Sequence, residues 1–281
     1  MQEKVGIIGA GRLGSSLAAS LKKNGVNVVG ISCKEETESR AIADKTGIKA
    51  FVDNHKLAQK SNVIFLTVPD SLIVKLAEEL LEREALAGKI LLHCSGAMSG
   101  FSLPGEGKVY RGSFHPLQSF AGEDATFKDI FIAMDGDSES LSVIQKLCAI
   151  LGATPLQVPS EERALYHAAA VFASNYLVTV LATAEQLFTS WAGERQAARE
   201  AIMPLVKGSL SNFVGLGGAG ALTGPIARGD SSTVEQHLAV LPKEVVAFYK
   251  NMGLQTLILA QEKNNLTPEQ SEKIKKLLKE S

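Results

Sequence analysis

A glycine-rich stretch, GAGRLG at residues 9–14, constrains the fold of this 281-residue chain more than any other segment. It follows the strand-like run KVGIIG and opens the helical pattern RLGSSLAASLKK. In such a strand–turn–helix unit, the first glycine permits the tight turn, the second lets the backbone approach a pyrophosphate, and the third allows close packing of helix on sheet. Unpaired N–H groups at the start of the helix bind the phosphates. The stretch predicts a dinucleotide site that includes Gly9, Gly11, Arg12, Leu13 and Gly14.

A second stretch, GLGGAG at residues 215–220, fits the same glycine pattern. It follows the helical run IMPLVKGSLSNF and no strand, so it lacks the context that a dinucleotide site requires. We predict a flexible loop between two helices there.

The first part of the chain alternates short apolar runs with helical patterns, which is typical of a sheet covered by helices on both faces. The strand-like runs are KVGIIG, NVVGIS, NVIFLTV, KILLHCS, KVYRGSF, DIFIAM and ATPLQV. Helical patterns cover residues 12–23, 70–87 and 139–151. The alternation predicts an α/β fold with a doubly wound, Rossmann-type parallel sheet.

Strand signals cease after Pro159, where Ser160 is predicted to cap a long helix. Helical patterns then cover residues 160–191, 194–213, 233–251, 255–263 and 268–279. We therefore predict a dinucleotide-binding domain at 1–159 and an all-α domain at 160–281. Because residues 168–188 are apolar on more than one stripe, we expect the helical domain to form a homodimer as well as to contact the substrate.

The end of the second strand, ISCKEE at residues 31–36, bears on the choice of dinucleotide. An NAD site usually places an acidic residue about 20 residues past the glycines to bind the ribose 2′-hydroxyl. Here Ser32 and Lys34 precede any acid, and a hydroxyl followed by a cation suits a 2′-phosphate. The pattern favours NADP over NAD. The alternative is that Lys34 is an ordinary exposed residue after a strand.

Polar groups also lie at the ends of the strand-like runs NVIFLTV and KILLHCS, and ligands of open α/β sheets bind beyond the carboxyl ends of the strands. Thr67, Val68 and Pro69 are predicted to border the nicotinamide. Ser95 is predicted either to hold a substrate oxygen or to serve as a turn residue ahead of a glycine. His93 lies inside an apolar run and is predicted to be a hydrogen-bonded core histidine.

The stretch GSFHPLQSF places His115 directly before Pro116 at the end of a strand-like run. The residue before a proline is held in an extended conformation, so the imidazole has a restricted direction. Histidine exchanges protons near neutral pH, and we predict that His115 is the proton donor. The alternative is a turn residue that binds local backbone groups.

Two further groups of polar residues lie beyond the predicted boundary. His167, Ser174 and Asn175 are spaced i, i+7 and i+8, which places them on one face of the long helix. Asn175 is predicted to contact a ligand, and the same prediction is made with less weight for His167. The alternative is that these side chains have partners on another helix. Arg228, in LTGPIARGD, is predicted to clamp a substrate carboxylate. The alternative is an internal pair with Asp230.

Composition excludes several classes of partner. Lysine and arginine total 29 against 30 acidic residues, so we expect neither nucleic acid nor an anionic membrane as a partner. The three cysteines are far apart, which argues against disulfides and a zinc site and favours the cytoplasm. The amino terminus lacks the pattern of a signal peptide, and polar residues interrupt the apolar window 168–188, so no membrane span is expected.

Six segments together resemble a family of bacterial Rossmann-like NADP oxidoreductases with a C-terminal domain of unknown function. They are GAGRLGSSLA, LTVPDSLI, LLHCSG, SFHPLQSF, ALYHAAAVFASNYL and LTGPIARGD. The family is similar in architecture to pyrroline-5-carboxylate reductases, ketopantoate reductases, β-hydroxyacid dehydrogenases and prephenate dehydrogenases. The resemblance implies a dinucleotide domain followed by a helical, dimer-forming domain.

Individual motifs transfer unevenly. Ser95 and the His115–Pro116 pair resemble the serine and the histidine motif of prephenate dehydrogenases, which implies that His115 holds or protonates a substrate oxygen. β-Hydroxyacid dehydrogenases and ketopantoate reductases use a lysine four residues before an asparagine. Asn175 resembles that asparagine, but Val171 stands where the lysine would be, so the lysine chemistry does not transfer.

The combined prediction is an NADP-dependent oxidoreductase that acts on a small carboxylate-bearing carbonyl or hydroxy compound. Two alternatives stay open: ketopantoate reduction by different residues, and an NADP-binding regulatory module without turnover.

Overall fold

The computed structural model describes residues 3–32, 40, 43–44, 46–82, 86–120 and 126–280. The chain forms two compact units, Met1–Tyr176 and Leu177–Ser281. The strands end at Gln157, close to the boundary predicted at 159, but the first unit also includes the helical residues up to Tyr176. The predicted division into a dinucleotide-binding part and a substrate and dimerisation part stays a prediction.

The first unit contains an eight-stranded sheet in the order β3-β2-β1-β4-β5-β6-β7-β8. The strands are β1 Lys4–Ile8, β2 Asn27–Ser32, β3 Ala50–Phe51, β4 Val63–Leu66, β5 Ile90–His93, β6 Tyr110–Pro116, β7 Phe131–Gly136 and β8 Thr154–Gln157. Strands β1 to β6 are parallel, which confirms the predicted Rossmann-type arrangement. Their carboxyl ends therefore lie along one edge of the sheet.

The sheet is not parallel throughout, and this corrects the prediction. Strand β7 runs antiparallel to β6 and parallel to β8. A parallel neighbour requires a crossover connection, usually a helix. The described part of the connection from β6 to β7 contains no helix, so the chain returns in the opposite direction.

In the described part of the first unit, the helices that flank the sheet include α1 Arg12–Lys23, α2 Asn54–Lys60, α3 Asp70–Glu82 and α4 Ser138–Leu151. Helix α1 has the predicted bounds, α3 ends earlier than predicted, and α2 with the short strand β3 was not predicted. Apolar side chains form one core on each face of the sheet, as the continuous apolar strands indicated.

The first unit ends in three consecutive helical segments. A 3₁₀ turn at Ser160–Glu162 leads into α5 at Arg163–Val171, and a π-helical turn follows at Phe172–Tyr176. Ser160 does not cap the helix as predicted; its hydroxyl instead donates to Asp135 Oδ2 at 3.0 Å. π-Helical turns occur frequently at functional sites, and this one contains Ser174 and Asn175.

The second unit is helical in its described residues. It comprises α6 Leu177–Ala192, α7 Arg195–Ala221, α8 Ser231–Val240, α9 Lys243–Glu262 and α10 Pro268–Lys279. Its core consists of six buried apolar residues: Ile226, Val234, Leu257, Ala260, Ile274 and Leu278. Helix α10 has the predicted bounds and starts with a capping box on Thr267.

Two predictions for this unit were wrong. The GLGGAG stretch is not a loop but the end of α7, which carries a non-helical kink at Gly217. The pattern 233–251 is not one helix, because Leu241 and Pro242 separate α8 from α9. Proline lacks the backbone N–H and is tolerated best in the first turn of a helix, so Pro242 precedes α9 and does not continue α8.

The run Ser160–Ala192 is long enough and apolar enough to cross a membrane by length and composition alone, with a mean hydropathy of 1.4 in its most apolar window. One helix of this kind is weak evidence for a membrane span. The absence of a span stays a prediction.

Candidate cofactor and active site

The glycine loop after β1 has the geometry that its sequence predicts. Gly9 adopts φ 116°, a left-handed value that favours glycine, and a side chain there would collide with Thr67. A Cβ at Gly14 would collide with the Gly9 carbonyl and with Thr67 Oγ1. In contrast, no atom of the described residues lies within 4 Å of a Cβ built at Gly11. The loop is therefore closed on its protein side and open at its middle glycine.

The open side of the loop faces a cleft of about 710 Å³. Gly11 is the N-cap of α1 and has no side chain to bind the first N–H groups of the helix. The first turn of α1 contains no acidic residue either. The unpaired N–H groups there suit a diphosphate. The cleft is lined by Ile8, Gly9, Ala10, Gly11, Val52, Asn54, Thr67, Val68, Pro69, Leu72, Lys75, Leu76 and Glu79.

The predicted cofactor residues have different positions. Thr67, Val68 and Pro69 line the cleft, and Thr67 Oγ1 also donates to the Gly9 carbonyl at 2.7 Å. Thr67 therefore holds the glycine loop against the end of β4. Arg12 is exposed at the start of α1, and the Leu13 side chain packs against the core rather than in the cleft.

The adenosine end of the predicted site involves a residue that sequence reasoning missed. Ser32 is fully buried, and its hydroxyl donates to Asn54 Oδ1 at 2.7 Å. Asn54 lines the cleft, and with its oxygen engaged, its amide NH₂ is left as a donor. Lys34 lies outside the described residues, so its role stays a prediction.

His115 lies at the carboxyl end of β6 and packs against two residues of α5. Its Nδ1 is 2.8 Å from the Tyr166 hydroxyl, and its ring centroid is 6.1 Å from that of His167. Burial, together with the nearby charges of Arg163 and His167, lowers the pKa of His115 to about 4. His115 is therefore a neutral imidazole at pH 7.

Gly96 provides the surface against which both histidines rest. A Cβ there would lie 2.5 Å from His167 Nδ1 and 2.8 Å from His115 Nε2. Any side chain would displace both rings, so the glycine after Ser95 allows the two imidazoles to approach the end of β5. His167 Nδ1 is buried and has no hydrogen-bond partner among the described residues.

The two histidines border a second cleft, of about 360 Å³. The lining residues are His115, Pro116, Leu117, Gln118, Ser119, His167, Ala170, Val171, Ala173, Ser174 and Asn175. No acidic side chain occurs among these described residues. The structure thus brings the predicted residues His115, His167 and Asn175 together, and it adds Gln118 and Ser119, which sequence reasoning missed.

Ser95 lies between the two clefts and lines neither of them. It is buried; its hydroxyl donates to Asp70 Oδ2 at 2.6 Å and accepts from the Met98 N–H at 3.2 Å. This arrangement matches a turn residue and gives no support to a substrate contact. His93 is fully buried, with Nδ1 accepting from the Ser95 N–H and Nε2 facing the Ser99 carbonyl at 3.0 Å, as expected for a core histidine.

Arg163 holds α5 against the sheet edge, and the sequence analysis did not identify it. Its guanidinium is 1% exposed and donates to the carbonyls of Met98 and Ser95, at 3.2 and 2.9 Å. It also lies 3.9 Å from Asp135 Oδ1. A buried arginine is stable only when paired in this way. Because Tyr166 and His167 follow on the same helix, Arg163 sets their positions beside His115.

Arg228 belongs to the second unit, where it is exposed in a 3₁₀ turn at Ile226–Arg228. Asp230 caps α8 and accepts from Thr233 and Ser232 rather than from Arg228. The predicted contact of Arg228 with a substrate stays a prediction.

Comparison with known families accounts for both parts of the chain. Residues 4–96 match the family described as NADP oxidoreductase, coenzyme F420-dependent. Residues 130–256 match a domain of unknown function, DUF2520. The chain therefore combines an NADP oxidoreductase domain with a C-terminal domain of unknown function. The description of the family matched by residues 4–96 names NADP, which agrees with the prediction from the second strand.

Curated relatives of this oxidoreductase match only a short segment. The ketol-acid reductoisomerase (NADP(+)) of Kineococcus radiotolerans is 35% identical over 34% of the chain. The 2-(hydroxymethyl)glutarate dehydrogenase of Eubacterium barkeri is 35% identical over 26% of it. The matched segments span 27% and 23% of those proteins, about a quarter of their length.

Solved structures resemble the whole oxidoreductase. Protein TM1727 of Thermotoga maritima has a TM-score of 0.69 and 26% identity, with 92% of this chain and 99% of that chain covered. A pyrroline-5-carboxylate reductase of Coxiella burnetii has a TM-score of 0.59 and 12% identity, with 99% of both chains covered. At that identity the second likeness shows the fold alone.

Proposed function

We propose that the protein is an NADP-dependent reductase or dehydrogenase for a small carboxylate-bearing carbonyl or hydroxy compound. The observation that carries the proposal is the position of His115, which lies at the carboxyl end of β6 and lines the second cleft. Pro69 lines the glycine-loop cleft, and the adjoining Asp70 accepts a hydrogen bond from Ser95 at the neighbouring strand end. Cofactor and substrate would therefore occupy neighbouring ends of β1, β4, β5 and β6.

The residues of the first cleft fit a dinucleotide. The space at Gly11 admits a diphosphate, and the uncapped start of α1 supplies N–H donors to it. The amide of Asn54 and the ammonium of Lys75 supply further donors along the cleft. When bound, NADPH supplies the hydride to the carbonyl carbon.

The second cleft suits an anionic substrate. Two imidazoles, Gln118, Ser119 and the polar residues of the π-helical turn offer donors, and no described lining residue is acidic. We propose that Gln118, Ser119 and Asn175 hold the carboxylate, and that His115 delivers a proton to the oxygen that becomes a hydroxyl.

The test follows NADPH absorbance with a panel of small 2-oxo acids that includes pyruvate and ketopantoate, with Δ¹-pyrroline-5-carboxylate as an imine control. Oxidation with an oxo acid supports the proposal. Oxidation only with ketopantoate supports the narrower alternative. Tight NADPH binding without turnover of any compound supports a regulatory module and contradicts the proposed enzyme.

NADPH is expected to raise the melting temperature more than NADH at equal concentration, because only the native state binds the ligand. Asn54→Asp should reduce the difference between the NADPH and NADH shifts in melting temperature, since a carboxylate repels the 2′-phosphate. Lys34→Ala should reduce the same difference. Asn62→Asp is the matched control, because Asn62 bonds to Lys4 at the opposite edge of the sheet. A larger shift with NADH contradicts the assignment.

We also propose a cytoplasmic homodimer formed by the second unit. Helix α6 is strongly apolar, yet none of its residues is buried, and α7 exposes Leu205, Phe213 and Val214 at 71%, 60% and 85%. Apolar area of this extent requires a covering partner in water, and a second copy provides one.

Light scattering should report a dimer at micromolar concentration. Val214→Glu should weaken the dimer, and Phe131→Glu in the first unit should not; a wild-type monomer contradicts the proposal.

A further inference from the structure

His115 presents a difficulty as a proton donor. At neutral pH it is an uncharged imidazole, because burial and the neighbouring Arg163 and His167 lower its pKa. Asp70 acts in the opposite direction but does not offset the burial, and His93 lowers the pKa of His115 further. Without an imidazolium proton, His115 can deliver a proton only if another group replaces it.

Tyr166 is placed to be that group. Its hydroxyl is 2.8 Å from His115 Nδ1, and the two rings meet edge to face at 5.6 Å. Burial raises the pKa of Tyr166, so the phenol keeps its proton at neutral pH. Nδ1 is the one partner of this hydroxyl among the described hydrogen bonds. A phenol that donates to Nδ1 leaves the imidazole proton on Nε2, the nitrogen beside Gly96.

We propose that Tyr166 is the proton source and that His115 relays its proton to the substrate. The inference rests on the proposed function. As the substrate carbonyl is reduced by the cofactor, its oxygen takes the Nε2 proton and the Nε2–H bond breaks. The Tyr166 O–H bond breaks at the same time, and a new N–H bond forms at Nδ1. The imidazole stays neutral and changes only its tautomer. The negative charge passes from the substrate oxygen to the Tyr166 phenolate, which solvent then reprotonates.

Arg163 is positioned to stabilise that phenolate. Its Cζ lies 5.5 Å from the centroid of the Tyr166 ring, and its proximity lowers the pKa of Tyr166 against the effect of burial. The guanidinium cannot move away, because Ser95, Met98 and Asp135 hold it. The charge of Arg163 thus adds to the effect of burial in lowering the pKa of His115, and it favours loss of the proton from Tyr166. Tyr166 does not contact the substrate itself: it positions His115 and supplies the proton that His115 relays.

Tyr166→Phe should reduce turnover with the oxo acid found in the panel by ~10²-fold, the lower end of the usual contribution of a positioned proton donor. KM should change little, because Tyr166 does not line the substrate cleft. The pH profile is the decisive measurement. In the variant only the imidazolium form of His115 can act as the acid, so turnover should fall as the pH rises through the neutral range, whereas the wild-type rate stays level there.

Tyr249→Phe is the matched control. It removes the same type of contact, a hydroxyl 2.9 Å from His237 Nδ1, within the second unit. The control should lose comparable stability and keep the wild-type rate and pH profile. A Tyr166→Phe enzyme with wild-type turnover and pH profile overturns the relay and leaves the proposed function intact. Absence of wild-type turnover with the whole panel overturns the proposed function instead.

The tautomer of His115 provides a test that needs no substrate. Nitrogen NMR of the labelled protein should show the His115 proton on Nε2 in the wild type and a loss of that preference in Tyr166→Phe. A wild-type proton on Nδ1 overturns the relay, because the phenol would then be an acceptor.

Discussion

His115→Asn should lose turnover by ~10²–10⁴-fold while NADPH affinity stays nearly unchanged. Asparagine can hydrogen-bond to Tyr166 but cannot pass a proton from one nitrogen to another. The dinucleotide contacts lie on the glycine loop and on the end of β4, so they should persist. Steady-state rates with the oxo acid and NADPH titration by fluorescence separate the two effects.

Pro116→Ala provides a graded comparison for this prediction. Pro116 is buried at the end of β6 and restricts the backbone that directs the imidazole, so its loss should reduce turnover less than the loss of the ring. If His115 instead serves only as a turn residue, His115→Asn should lower stability and keep turnover in the folded fraction. A folded variant with the wild-type rate would falsify the catalytic role, and His167 would then become the proposed donor.

Gly11→Ala should weaken cofactor binding without affecting folding, whereas Gly14→Ala should lower the stability of the fold. A methyl group at Gly11 meets no atom within the described part of the chain, so we expect the variant to fold with wild-type stability. It occupies the space proposed for the diphosphate, and loss of a charge-assisted hydrogen bond of ~1.5–3 kcal/mol should weaken NADPH binding ~10–100-fold. Titration of the folded variant with NADPH measures this loss.

At Gly14 the methyl group would collide with the Gly9 carbonyl and with Thr67. Overpacking of this kind typically costs ~1–3 kcal/mol, so the free energy of unfolding should fall by about that amount in the absence of cofactor. Chemical denaturation of the apo forms is the measurement. Wild-type NADPH affinity in Gly11→Ala would place the diphosphate elsewhere, and wild-type stability in Gly14→Ala would contradict the observed contact of α1 with the loop.

The sequence alone determined the features that depend on local patterns. The alternation of apolar runs with helical periods predicted the Rossmann-type sheet, and α1 and α10 have the predicted bounds, because caps and periodicity act over a few residues. The glycine spacing predicted the cofactor loop for the same reason, since the turn, the helix start and the packing contact all lie within residues 9–14. The prediction of one helix over 233–251 was wrong because it did not take account of Pro242, which separates α8 from α9.

Only the tertiary structure decided how the site residues meet. His115 and Tyr166 are 51 positions apart, and Arg163 reaches the Ser95 carbonyl across 68. No periodicity predicts such pairs, because they depend on how α5 packs against the strand ends. Burial of Ser95 and Ser32 followed from the same packing, and it left their hydroxyls bonded to protein partners rather than to a ligand. The sequence thus identified His115 as a titrating group at a strand end, whereas its neutral state and its phenol partner arise from desolvation and contacts that exist only in the folded chain.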